Sequence, residues 1–243
     1  MKNSLFFQSY VDVRANLICR LMHRQDMARM KGTVFARAFG DLAVIPCIYQ
    51  RSGDGTAVSC PVSLLLAEKW QISEEKLLED ALHNMETMLP PRLYSLDVLM
   101  KSPITGSVRN VLLGLLRKQF KDAGEAVLDQ VAQALTVRLE QKFQAESGLR
   151  PMWVLGNEAW MYGATSLLFP RVLEEFSEKI EGNFFILPSS IHEVILLPEG
   201  GNESRNQLYE MVASANLRMA DKTKILSGSV YYFDKNRTEI QTL

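Results

Sequence analysis

The segment from Trp153 to Pro198 limits the fold more than any other part of the sequence. It predicts a short strand at 152–155, a helix that starts at Pro170, and two apolar runs at 184–187 and 193–197. Two such runs joined by a proline and two serines are typical of an antiparallel hairpin. We therefore expect an antiparallel sheet covered by helices, because this order lacks the regular alternation of a parallel βαβ sheet.

The rest of the chain fits the same class. Ser73 precedes a helix that Pro90 and Pro91 end, and residues 234–237 form the turn of a final hairpin. Strands and helices mix without strict alternation, so the sequence predicts an α+β fold of antiparallel hairpins packed with helices. We expect one domain over residues 1–243.

Residues 100–148 are predicted to be a helical insertion within that domain. Two apolar rows at helical spacing lie in it: Val108, Val111, Leu112, Leu115, Leu116 and Phe120, then Val127, Val131, Leu135, Leu139 and Phe143. One interpretation is that these helices cover the sheet. The other is that helices 105–146 bind a protein partner or a second copy of the chain.

Two segments near the N-terminus give local predictions. Apolar residues at three- and four-residue steps predict an amphipathic helix over residues 4–23. A tight turn at Ser52–Gly55 predicts a hairpin in which Cys47 lies opposite Cys60 and Pro46 opposite Pro61. These cysteines are either a redox pair or two small apolar residues; the sequence leaves open whether they ever pair.

Composition limits the function classes. Lysine and arginine number 27 against 28 acidic residues, so a net charge of −1 gives no overall field that attracts nucleic acid or anionic lipid. The chain has no apolar run long enough for a membrane span, and its first residues do not resemble a signal peptide. Three cysteines without a paired framework fit a reducing compartment. We expect a soluble cytoplasmic protein with no membrane partner.

Basic residues concentrate in one segment, residues 14–37. It contains a single acid, Asp26, and six basic residues: Arg14, Arg20, Arg24, Arg29, Lys31 and Arg37. One interpretation is weak contact with nucleic acid, and the other is the solvated face of a helix and its loop. No aromatic residues alternate with these charges to stack on bases, so we expect no nucleic-acid partner.

The candidate catalytic residues are Ser189, Ser190, His192 and Glu193. A serine and a histidine could supply a nucleophile and a base, but residues this close in sequence rarely align for proton transfer. No G-x-S-x-G turn accompanies them. The alternative is that the serines shape a hairpin turn, and that Glu193 pairs with His192 or an arginine.

Other chemical motifs are not found in the sequence. Residues 192–196 begin like a zinc-protease HExxH motif, but Leu196 replaces the second histidine and the pattern is that of a strand. No glycine-rich phosphate loop occurs. We expect no metal and no cofactor.

Several blocks of the chain point to a family. The blocks are GN-x4-YGA at 156–164, VLEE at 172–175, LPSSIHEVILLP at 187–198 and VYYFD at 230–234. They resemble an uncharacterised bacterial family from anaerobic Gram-positive bacteria, known as a domain of unknown function. The resemblance leaves out residues 100–148, and it implies no catalytic residues. The chain departs from it at 226–228, where an acid is expected after Ser227.

These observations favour a non-enzymatic cytoplasmic protein that acts by binding a protein or a small ligand. The first alternative is a hydrolase-like enzyme that uses Ser190, His192 and Glu193. The second is weak nucleic-acid contact through residues 14–37.

Overall fold

The computed structural model describes residues 9–27, 36–51, 57–96, 113, 116–117, 120, 124–135 and 151–243. It divides into two compact units, one of Met1–Leu93 with Leu155–Leu243 and one of Tyr94–Val154. Antiparallel sheets and helices confirm the predicted α+β class. In the described part, no helix is both long and apolar enough to cross a membrane. The 100–148 insertion stays a prediction.

The first sheet is built around one long strand. Its strands are β1 (Leu17–His23), β2 (Arg37–Phe39), β3 (Leu42–Arg51) and β4 (Ala57–Pro61). β3 pairs with β1 along one side and with β2 and β4 along the other, and all pairs are antiparallel. Residues Leu42 to Tyr49 of β3 are all buried, so both faces of this strand are covered.

The predicted helix over residues 4–23 is wrong for its second half. The helical part is short, Tyr10–Val13 followed by a 3-10 turn at Arg14–Asn16, and Leu17–His23 is a strand. Leu17 and Leu21 are four residues apart, and this spacing suits both one helical turn and two strand periods. Pairing with β3 decides between them.

The hairpin of β3 and β4 is shifted by one residue from the prediction. Cys47 lies opposite Pro61, and Ile48 lies opposite Cys60. Because side chains alternate along a strand, this shift places Cys47 and Cys60 on opposite faces of the sheet. Cys47 is buried and Cys60 is exposed. The predicted turn at Ser52–Gly55 lies outside the described residues.

Helices border this sheet in the N-terminal half. They are Arg24–Met27, Leu64–Trp70 and Glu74–Met88. The last begins where predicted, because the hydroxyl of Ser73 accepts the backbone N–H of Lys76. Its residues Leu77, Leu78, Ala81 and Met85 are buried.

Side chains cover the outer edge of β1. The backbone N–H of Cys19 donates to Sδ of Met85, and its carbonyl accepts the hydroxyl of Thr165. The amide of Asn84 donates to the carbonyl of Leu17. Backbone groups that are bonded in this way are not available to another strand at Leu17 and Cys19.

The second sheet has six strands. They are β5 (Pro91–Ser95), β6 (Trp153–Asn157), β7 (Phe184–Pro188), β8 (Val194–Pro198), β9 (Tyr231–Asp234) and β10 (Glu239–Thr242), in the order β10-β9-β7-β8-β6-β5. The hairpin from the Phe184 run to the Leu197 run is confirmed, with Phe184 opposite Pro198. β5 lies just before the predicted helical insertion at 100–148.

An aromatic cluster connects this sheet to its helices. The helix at Pro170–Ile180 starts at the predicted proline and places Phe176 against Phe184, with ring centroids 4.9 Å apart. Phe184 also stacks on Phe233 of β9 at 4.9 Å. The larger unit also contains 3-10 helices at Gly163–Leu168 and Lys222–Lys224 and an α-helix at Arg205–Arg218.

The smaller unit contains a helix over residues 125–135. Leu128 and Ala132 of this helix are buried against Leu113, with Leu116 packed beside them. Six residues of the predicted rows lie outside the described part: Val108, Val111, Leu112, Leu115, Leu139 and Phe143.

Candidate functional site

The turn between β7 and β8 contains all four candidate catalytic residues. The hydroxyl of Ser189 donates to a carboxylate oxygen of Glu193 at 3.0 Å. The hydroxyl of Ser190 accepts the backbone N–H of His192 at 2.9 Å, and the N–H of Ser190 donates to the carbonyl of Glu193. The partner of Glu193 is therefore Ser189, and the predicted pairing with His192 or an arginine is replaced by this bond.

The imidazole of His192 contacts Tyr162. Its Nδ1 accepts the backbone N–H of Tyr162 at 3.3 Å, and its ring stacks on the Tyr162 ring with centroids 5.9 Å apart. Burial lowers the pKa of His192, although Glu193 counteracts part of this effect. The neutral ring, with its proton on Nε2, is thus favoured.

This geometry brings together one hydroxyl and one carboxylate but no serine–histidine pair. A nucleophilic serine needs a base within hydrogen-bond reach that a third group orients. The lone pair on Nδ1 of His192 accepts the backbone N–H of Tyr162, and the hydroxyl oxygen of Ser190 accepts the backbone N–H of His192. The contacts we observe hold the chain in a bend.

Two glycines allow the turn to touch the following loop. A Cβ on Gly163 would lie 2.3 Å from the carbonyl oxygen of His192 and 2.6 Å from Cα of Gly156. A Cβ on Gly156 would meet that carbonyl at 3.4 Å. Backbones this close leave no room for a side chain at Gly163, so the glycine of the YGA block has a packing role.

The loop between Gly156 and Gly163 has an unusual backbone. Trp160 and Tyr162 both have positive φ, 50° and 52°, which costs non-glycine residues on the order of 1 kcal/mol or more each. Buried Asn157 offsets this cost by bonding both the N–H and the carbonyl of Met161. The hydroxyls of Tyr162 and Ser59 share a hydrogen bond of 2.8 Å, so the loop also contacts β4.

A polar cluster surrounds Asp41, which the sequence did not single out. Its carboxylate accepts hydroxyls from Ser227 and Ser229 at 2.8 Å and from Tyr231 at 2.5 Å. Nε2 of His23 lies 3.7 Å away. Burial opposes ionisation of Asp41, but these three donors outweigh it and hold the pKa below its usual range.

This cluster does not form a triad. Nδ1 of His23 accepts the backbone N–H of Gln25, so Nε2 carries the proton that faces Asp41. No lone pair of that imidazole is left for a serine hydroxyl. Asp41 lies far in the sequence from its donors Ser227, Ser229 and Tyr231. No local signal could have revealed that pairing.

A second acid, Asp80, pairs with Arg14 of the basic segment 14–37. It is 5% exposed and accepts Tyr10, Lys76 and two nitrogens of Arg14 at 2.6 to 3.0 Å. Of the other basic residues, Arg37 pairs with Glu74, and Arg24 donates to the carbonyl of Gly40. The side chains of Arg29 and Lys31 lie outside the described residues.

Within the described residues, buried Cys47 and two surface recesses add no reactive centre. Burial raises the pKa of Cys47 to about 12, as expected for a small apolar residue. In the described ranges, no three His, Cys, Asp or Glu side chains are grouped to hold a metal ion. Two recesses of about 270 and 260 Å³ lie near Tyr232 and near Phe233, and neither includes a residue of the 188–193 turn.

The 125–135 helix exposes an apolar row. Val127, Val131 and Leu135 are 56%, 40% and 37% exposed, whereas Leu128 and Ala132 are buried. Apolar residues normally face the core of a surface helix. This row is part of the second stripe predicted from the sequence, and its three side chains stay partly exposed in the described part of the smaller unit.

The comparisons with known proteins place the chain in an uncharacterised family. The model of a family of unknown function, DUF5688, matches residues 2–235. The chain belongs to this family. The DUF5688 match includes residues 100–148, which the resemblance left out. No curated protein and no solved structure matches the chain.

Proposed function

We propose that this DUF5688 protein is a non-catalytic cytoplasmic binding protein that assembles with a second copy of itself. The exposed row of Val127, Val131 and Leu135 carries the proposal. Apolar surface of this kind is stabilised when a partner removes it from water. The contacts of the 188–193 turn support a non-catalytic role, because they all hold backbone or neighbouring side chains in place.

The chemistry of the helix favours a second copy as the partner. From Ala126 to Leu135 the only charged residue is Asp129, and the exposed positions are uncharged. A twofold interface places the same patch on both subunits, so a charged patch would repel itself. An uncharged row of small and branched side chains can pack against its own copy without that cost.

The test is the mass of the protein in solution. We expect light scattering after size exclusion to give a dimer that dissociates on dilution. Val131→Asp places a carboxylate in the centre of the row and should weaken the dimer at least about 100-fold, because burying an unpaired charge is costly.

The matched control is Gln133→Asp. Gln133 is exposed on the same helix, but it lies about 200° around the axis from Val131. This variant adds the same charge and should dimerise like the wild type. A wild-type protein that stays monomeric at high concentration, or equal effects of the two variants, would contradict the proposal.

A further inference from the structure

Strand β4 has backbone groups that point away from the sheet. The N–H of Val62 donates to the carbonyl of Pro46, which fixes the ladder pairs as Pro46 with Val62 and Ile48 with Cys60. In an antiparallel pair, the residues between ladder pairs direct their N–H and C=O outward. Ala57 and Ser59 are those residues, and β4 has one strand neighbour among the described residues, β3.

The two sides of this sheet differ. On β1, the carbonyl of Leu17 and both outward groups of Cys19 are bonded by Asn84, Met85 and Thr165. No described side chain makes the same kind of contact with the outward backbone of Ala57 or Ser59. Val58 between them is 55% exposed. An uncharged edge of this kind is a template for another strand.

An aromatic pair borders the centre of this edge. The hydroxyl of Tyr162 is hydrogen-bonded to that of Ser59, and the Tyr162 ring stacks on His192. The backbone of Tyr162 is held by Nδ1 of His192. Residues directly opposite each other on paired strands point to the same face. A residue opposite Ser59 on an added strand would therefore lie beside Tyr162.

We propose that the β4 edge binds an extended peptide segment of a partner protein by β-strand addition, with an apolar or aromatic residue opposite Ser59. The outward N–H and C=O groups of Ala57 and Ser59 can form ladder hydrogen bonds with an extended backbone, so we expect the ligand to be an extended peptide. The side chains of Val58, Ser59 and Cys60 carry no charge, so an uncharged segment fits them. This site belongs to the larger unit and is independent of the 125–135 helix.

Pro61 disfavours a second copy of the chain at this edge. In antiparallel pairing of two copies about Ser59, Ala57 of each copy faces Pro61 of the other. Proline has no N–H, so two ladder hydrogen bonds lack a donor. A foreign strand meets Pro61 once and loses one such bond.

The experiment is a selection of phage-displayed random heptapeptides on the full chain. The selected peptides are then synthesised with a fluorescent label, and binding is measured by anisotropy. Ser59→Pro removes the outward N–H, which the ladder to β3 does not use, and should weaken binding at least about tenfold. Ser59→Ala loses the same hydroxyl but keeps the N–H, and should bind within about twofold of wild type.

A change in the peptide gives a second test that leaves the protein intact. N-methylation of the peptide nitrogen that donates to the carbonyl of Ser59 should abolish binding, whereas methylation of the next nitrogen should not. Enrichment of no peptide, equal binding to Ser59→Pro and wild type, or equal effects of the two methylations would overturn the proposal. If the protein forms a dimer that Ser59→Pro dissociates and Val131→Asp leaves intact, the β4 edge binds a second copy of the chain instead of a partner peptide.

Discussion

At the scale of single residues, three backbone groups meet where Gly163 contacts Gly156 and the carbonyl of His192. Tyr162, next to this contact, keeps a left-handed backbone because His192 bonds its N–H. The His192 ring therefore positions a loop. The other candidate residues of the 188–193 turn also make contacts within the turn: Ser189 bonds Glu193, and Ser190 bonds the backbone of His192.

Gly163→Ala is expected to destabilise the protein by about 3 kcal/mol or more, because the new Cβ would overlap backbone atoms that cannot rotate away. Urea unfolding measures this change. Gly228→Ala is the control, since no heavy atom lies within 4 Å of the place that its new Cβ would take, and it should change stability by less than about 0.5 kcal/mol. Equal stabilities of the two variants would show that the close approach does not exist.

At the scale of elements, the segment before β1 is held on the helix Glu74–Met88 by polar contacts. Asp80 binds Tyr10 and Arg14, and the amide of Asn84 donates to the carbonyls of Arg14 and Leu17. Packing alone would leave these carbonyls without partners. The helix therefore fixes where the first strand begins.

Asp80→Ala should cost about 2 to 3 kcal/mol in the free energy of unfolding, because charge-assisted hydrogen bonds to a buried carboxylate are lost. Glu79→Ala removes a carboxylate from the adjacent position, where the side chain is 71% exposed and pairs with Lys76. That exposed ion pair contributes little to stability, so the unfolding free energy of the control should stay within about 0.5 kcal/mol of the wild type. The measurement is the difference between the urea unfolding midpoints of the two variants. Equal midpoints would contradict the prediction.

Elements with strong local signals could be predicted from the sequence. Ser73 and Pro170 begin helices where expected, and the runs around Pro188 form a hairpin. Leu17–His23 could not be assigned, because its apolar spacing suits both periods and only β3 decides between them. The pairing of Cys47 with Pro61 rather than Cys60 could not be predicted, because the sequence at 52–55 does not determine the number of residues in the turn.

The candidate site was predicted less completely than the fold. Ser189, Ser190 and His192 lie in the turn of the expected hairpin, but Tyr162 and Gly163, which contact His192, lie about thirty residues earlier. Asp41 is 186 residues from Ser227, and spacing in one sequence carries no information on such a pair. Contacts of this kind depend on the tertiary fold.

At the scale of the larger unit, Asp41 connects the two sheets. It follows Gly40 in the turn between β2 and β3, and its hydroxyl donors lie in residues 227–231 at the start of β9. Tyr231 is 2% exposed, so this connection is mostly shielded from water. The stability of the unit should therefore depend on the charge of one carboxylate.

That dependence has a definite sign. The pKa of Asp41 is lowered in the folded protein, so the unfolded state binds a proton first as the pH falls. The stabilisation is complete above about pH 4, the ordinary value for aspartate, and is lost as the pH falls through the folded pKa. Other acids, such as Asp80, titrate in the same range, so a reference variant is needed.

Asp41→Asn is that reference. The difference in unfolding free energy between wild type and Asp41→Asn should be constant from pH 7 to about 5 and should shrink below about pH 4. Urea titrations at several pH values measure it. A difference that stays constant down to pH 2 would mean that Asp41 does not act through its charge.

The crowding at Gly163 also affects how this gene can vary. Every amino-acid replacement that one base change can make in a glycine codon adds at least a β-carbon. Since the carbonyl of His192 occupies that space, each missense variant of this codon should reduce the amount of folded protein in the cell.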